Sequence, residues 1–64
     1  VKNAVRELRQ EQRWTQQELG TKVGTSRQAI IAIENGRFDP SLPLAIKLSR
    51  VLKKPIEELF FLDE

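Results

Sequence analysis

The 64 residues carry 11 basic and 9 acidic side chains, a net charge of +2, with neither cysteine nor histidine. A chain of this length builds one core, so residues 1–64 read as a single domain; lacking Cys and His, it has no disulfide, no thiolate nucleophile and none of the commonest zinc ligands. No apolar run approaches the ~20 residues that span a bilayer, and residues 1–12 are charged rather than signal-like, which reads as a cytoplasmic protein with no membrane partner. The charge is uneven: residues 1–37 sum to +3 and residues 38–64 to −1. A polyanion-binding half joined to a half that packs or dimerises has this distribution, although a solvated helical surface has it too.

Apolar residues recur at helical spacing throughout, and no stretch alternates as a strand would, so the sequence predicts an all-α fold. Val1, Ala4, Val5 and Leu8 form the stripe of a first helix ending near Arg13. Thr15-Gln16-Gln17-Glu18 then fits a capping box, with Trp14 and Leu19 at the spacing of a hydrophobic staple; this makes Trp14 a core residue rather than a base-stacking one. The second helix ends at Val23-Gly24-Thr25, where Gly24 supplies the positive φ of a sharp turn. Ser26 caps a third helix whose inward positions are Ala29, Ile30 and Ile33, closed by Asn35-Gly36. Ser41 caps a fourth, with Pro43 in its first turn and Leu42, Ala45, Leu48, Ser49 and Leu52 inward. After Pro55 a short fifth helix starts near Ile56, with Glu57 and Glu58 where the helix dipole favours them.

The window QQELGTKVGTSRQAIIAIEN, residues 16–35, meets several independent demands of two crossing helices. Leu19, Val23, Ile30 and Ile33 are apolar toward the core, Gly20 is small where the helices approach, and Gly24 makes the turn. A generic helical hairpin satisfies the same pattern, but the side chains left outside the apolar face also suit DNA. On Thr15-Gln16-Gln17-Glu18-Leu19, Ser26-Arg27-Gln28-Ala29-Ile30, Ile33-Glu34-Asn35-Gly36-Arg37, Pro40-Ser41-Leu42 and Ile56-Glu57-Glu58-Leu59-Phe60, the chain resembles the Cro/repressor-type, or XRE, helix-turn-helix regulators over nearly its whole length.

That resemblance implies a five-helix bundle of the phage-repressor DNA-binding type, bound to double-stranded DNA as a homodimer with its third helix in the major groove. It implies base contacts from Ser26, Arg27, Gln28 and Ala32: Arg27 can pair with guanine O6 and N7, Gln28 with adenine N6 and N7, while Ala32 offers only an apolar contact. It implies phosphate contacts from Gln16, Asn35 and Arg37, with Asn35 equally a helix cap. Arg6, Arg13 and Lys22 are weaker phosphate candidates whose ordinary role is solvated surface. Arg9 and Glu34 are implied as a structural ion pair.

Two departures from the family pattern stand out. Lys53-Lys54-Pro55 replaces the usual glycine and small polar cap between helices four and five. Gly20 stands where many relatives have alanine, so Gly20→Ala stabilises unless the glycine permits a closer crossing.

Leu59-Phe60-Phe61-Leu62 is too apolar for a free tail. Leu59 and Phe60 follow the core spacing, leaving Phe61 and Leu62, joined by Phe38 or not, as the dimer interface. The acidic residues sit in caps and surfaces and form no nucleophile, base and orienter constellation, so the chain is not read as an enzyme; no cofactor, metal site or small-molecule effector is evident. The competing reading is an interaction module, an antitoxin or coactivator-like adaptor, working through the C-terminal apolar patch.

Overall fold

A computed structural model describes residues 1–62, and its second, third and fourth helices begin where the sequence provides side-chain caps. In chain order the elements are β1 (Lys2–Asn3), α1 (Val5–Glu11), α2 (Gln16–Val23), α3 (Arg27–Glu34), α4 (Leu42–Leu52), α5 (Ile56–Leu59) and β2 (Phe60–Phe61). The Thr15 capping box forms in full: its hydroxyl accepts from the Glu18 amide at 3.0 Å and the Glu18 carboxylate accepts from the Thr15 amide at 2.8 Å. These bonds hold the exposed Glu18 carboxyl below its ordinary value. Ser26 and Ser41 likewise accept from the amides of Ala29 and Leu44. Each such cap satisfies an amide that the helix cannot.

The helical body is the one expected, with one addition at the chain ends. Val1 and Ala4 do not extend α1. Residues 2 and 3 instead pair antiparallel with β2, Lys2 opposite Phe61 and Asn3 opposite Phe60. Asn3 accounts for the change: its Oδ1 accepts from the Val5 amide at 3.1 Å, turning the chain just before α1, and its Nδ2 donates to the Ile33 carbonyl at 2.8 Å. At the other end α1 stops at Glu11 because Arg13 turns into the left-handed region, φ 61°.

Val5, Leu19, Val23, Ile30, Ile33, Leu48, Leu52 and Leu59 form the buried core, and Leu8, Trp14, Leu44, Val51 and Phe60 pack against it. Fully burying each large aliphatic side chain contributes roughly 1.5–3 kcal/mol. Trp14 is thus a core residue, and Lys22 Nζ lies 4.6 Å from its ring centroid, a cation–π contact that occupies this lysine within the protein. Leu42, expected inward, is 67% exposed. Leu44 and Val51 rotate the buried stripe of α4 toward their own side and leave Leu42 at its outer margin. The Lys53-Lys54-Pro55 junction is solved without glycine: Lys53 itself takes the left-handed conformation, φ 58°, and the Lys54 amide donates to the Ser49 carbonyl at 3.1 Å. The half-buried Ser49 hydroxyl closes the turn by donating to the Lys54 carbonyl. Among the described residues no helix is long and apolar enough to cross a membrane.

Candidate nucleic-acid interface

α2 and α3 are joined by a turn whose shape depends on two glycines. Gly24 has φ 74°, a region costly for any residue with a Cβ, and the Thr25 amide donates to the Gly20 carbonyl at 2.9 Å. A Cβ added at Gly20 would lie 2.9 Å from the Thr25 carbonyl oxygen, inside any tolerable contact with backbone. The closer crossing is therefore real, and Gly20 is what permits it.

Beyond that turn, Ile30 and Ile33 anchor α3 in the core. Ser26, Arg27 and Gln28 stand exposed at its capped start, and among the described residues neither Arg27 nor Gln28 makes a side-chain hydrogen bond. Ala32 is half-buried one turn further on. Ile31 is a residue that sequence reading passed over. It lies between Arg27 and Asn35 at four-residue spacing, off the buried stripe of Ile30 and Ile33, and is half-buried. The available signal was an isoleucine standing outside an apolar stripe already complete without it.

The far end of α3 is held by an ionic cluster. The Glu34 side chain is fully covered and that of Arg9 is 11% exposed. Arg9 donates from Nε to Glu34 Oε2 at 2.7 Å, from Nη2 to Oε1 at 3.2 Å and from Nη1 to the Trp14 carbonyl at 2.8 Å. The expected ion pair is thus a fork that also fixes the entry to α2. Gln16 Nε2 donates to the same Glu34 Oε1 at 3.1 Å, and Arg6 Nε approaches it at 3.4 Å. Arg6 Nη2 also donates to Asn35 Oδ1 at 2.7 Å. Burial pushes the Glu34 carboxyl up, but the hydrogen bonds from Arg9 and Gln16, the Arg9 charge and the Arg6 hydrogen bond outweigh it and hold the group below its ordinary value.

Gln16 and Asn35, which begin α2 and end α3, are therefore brought together through Glu34 and Arg6. Asn35 keeps right-handed helical geometry as the cap of α3, and the reversal falls on Gly36, φ 73°. The Arg37 amide donates back to the Ala32 carbonyl at 3.0 Å, leaving its side chain exposed. Phe61 and Leu62 are 42% and 67% exposed; Phe61 borders a cleft of about 550 Å³ together with Asn35 and Gly36, well away from Arg27 and Gln28 along α3.

Two capped helices crossing at a tight glycine turn, the second with an unengaged polar start, form a helix-turn-helix, and the family of that description matches residues 5–59. The chain belongs to the Cro/repressor-type helix-turn-helix family. This helix-turn-helix protein is 48% identical over its whole length to an HTH-type transcriptional regulator of Methanothermobacter thermautotrophicus, covering 94% of that protein. It is 42% identical, again over its whole length, to a regulator of Bacillus subtilis, covering 97% of it. Its fold is similar to the crystal structure of the restriction-modification controller protein C.AhdI from Aeromonas hydrophila, with TM-score 0.79 and 32% identity over 88% of this chain and 85% of the other. Its activity is DNA-binding regulation of transcription rather than catalysis.

Proposed function

We propose that this helix-turn-helix regulator reads operator sequence with the exposed start of α3, as a dimer on an inverted repeat, through a DNA-binding unit spanning residues 16–35. The observation that carries this reading is the state of Arg27 and Gln28: both are exposed, both are long enough for bidentate base contacts, and among the described residues neither side chain has a hydrogen-bond partner. Ser26 lies beside them and is exposed, while Ala32 and Ile31 offer apolar contacts such as those a thymine methyl accepts. Gln16, Asn35 and Arg37 serve the phosphates and set the register.

The dimer reading rests on apolar surface. Phe61 and Leu62 are exposed, as are Phe38 at 48% and Leu42 at 67%, and Leu42 edges a groove of about 300 Å³ with Pro40, Ile56 and Phe60. So much uncovered apolar surface on so small a protein favours a second copy. A two-fold pair presents its recognition helices roughly 34 Å apart, one turn of DNA. Selection of sites from random duplex DNA at physiological salt tests the whole reading. Half-sites about 10 bp apart, each losing particular bases with Arg27→Ala or Gln28→Ala, are expected. Enrichment of nothing, or binding indifferent to both substitutions, would replace it with nonspecific attraction to the polyanion. Light scattering of the wild type against Leu62→Asp and Leu42→Asp tests the dimer: a monomeric wild type at micromolar concentration removes it.

A further inference from the structure

The ionic cluster at the end of α3 is not neutral. It joins two guanidinium groups, Arg6 and Arg9, to the single carboxylate of Glu34. Arg9 is buried and takes both Glu34 oxygens at 2.7 and 3.2 Å, so it and Glu34 compensate one another. Arg6 makes only a 3.4 Å approach to an oxygen that already accepts from Arg9 and Gln16, and its side chain remains 45% exposed. Among the described residues one positive charge is thus left over, and it reaches solvent through Arg6. Its position is fixed by Nη2, which donates to Asn35 Oδ1 at 2.7 Å. A planar amide held by its oxygen carries its NH2 on the other side of the group, so the bond that anchors Arg6 also orients Asn35 as a donor. The result is an arginine and an asparagine, from α1 and α3, presenting a charge and amide hydrogens side by side at the end of the recognition helix.

We propose that Arg6 is a phosphate-binding residue of the DNA interface, sharing one backbone phosphate with Asn35, and that the buried Arg9–Glu34 pair is the mount that keeps its charge uncompensated. The proposal rests on the DNA-binding reading but not on any base contact, and it adds α1 to an interface otherwise built from α2 and α3. A guanidinium suits the task because it can donate to Asn35 and to a phosphate oxygen at once.

The test is the salt dependence of binding to a labelled 20-bp duplex of mixed sequence, followed by anisotropy for the wild type, Arg6→Ala, Arg6→Gln, Arg6→Lys, Asn35→Ala and Arg27→Ala. Each phosphate neutralised contributes about −0.9 to the slope of log K against log [salt]. Arg6→Ala and Arg6→Gln are expected to flatten that slope by about 0.9 per subunit, while Arg6→Lys keeps it. Asn35→Ala should weaken binding at every salt concentration with little change of slope. Arg6→Gln retains a donor for Asn35, so it reads the charge even if the alanine variant folds poorly. An unchanged slope in Arg6→Gln overturns the proposal and returns Arg6 to a structural bridge. A wild type without measurable affinity for duplex DNA at low salt overturns it too, by removing the DNA-binding reading beneath it; an intact wild-type slope with an Arg6-independent value leaves that reading standing.

Discussion

The two ends of α3 are built on opposite plans. At its start, Ser26 caps the helix through its own hydroxyl while Arg27 and Gln28 extend without partners among the described residues. At its finish, one covered carboxylate gathers Arg6, Arg9 and Gln16, and Arg6 in turn holds Asn35. On the function proposed above, the difference separates two tasks that a reader of DNA must perform together. Groups that hold a continuous, uniform backbone gain from being fixed beforehand, since no ordering cost remains at binding. Groups that test base identity are set on a rigid helix but keep their donors and acceptors unspent, so a wrong base leaves them unsatisfied.

The largest effect should come from the fixed end. Glu34→Ala strands the buried Arg9 guanidinium and releases Gln16 and Arg6 together, and losing one partner of such a pair costs roughly 3–5 kcal/mol. Urea denaturation should show that loss, and DNA affinity should fall with it; unchanged stability and affinity would mean that the two ends of α3 do not differ in the way described. The same carboxylate makes the fixed end sensitive to acid. Its folded value is depressed, so its contribution is present above the unfolded Glu value of about 4.3 and is lost as pH falls through the lower folded value. Glu34→Gln should remove part of that acid sensitivity in melts between neutral and acidic pH, although the capping box at Glu18 adds a shift of the same sign.

At the free end the expectation is reversed. Arg27→Ala and Gln28→Ala should each relax discrimination at one base pair by roughly 1–3 kcal/mol. Neither should move the melting temperature appreciably, and a clear loss of stability in either variant would place that side chain in the fold rather than the groove. Gly20→Ala addresses the turn that aims both ends. Its Cβ meets the Thr25 carbonyl, and overpacking of this kind costs roughly 1–3 kcal/mol, so a raised melting temperature would show that the turn yields. Smallest is Ser26→Ala, where a lost cap costs about 1 kcal/mol. It should fray the start of α3 and weaken binding while leaving the cluster around Glu34 intact, which amide exchange at the two ends can compare.

The elements fixed by local chemistry were legible in the sequence: the Thr15 capping box, the Gly24 turn, and the serine caps at 26 and 41 all depend on residues within a few positions of one another. The Arg9–Glu34 pair came from family resemblance, because nothing in the intervening chain says that α1 and α3 touch. What escaped was nonlocal. Val1, Ala4, Val5 and Leu8 have helical spacing, yet Asn3 bonds to the Ile33 carbonyl and its backbone pairs with Phe60, and those partners outweigh the period. Leu42 matched the inward stripe of α4 until Leu44 and Val51 set the direction of that stripe. The sequence marks Gln16 and Asn35 singly, and offers Arg6 only as a weaker phosphate candidate whose ordinary role is solvated surface. Their joining through one carboxylate oxygen and one guanidinium depends on three helices meeting, which no spacing in a single segment encodes.

The pairing of Lys2 and Asn3 with Phe61 and Phe60 also bears on the order of folding. The first strand finds its partner only when a loop of nearly sixty residues is closed, and Ala4 likewise waits to donate to the Leu59 carbonyl. The segment from Gln16 to Glu34 needs far shorter loops closed, so its contacts can form first. The helix pair should therefore assemble early and loosely, and gain its seat against the amino-terminal residues only when α5 and the strand after it turn back.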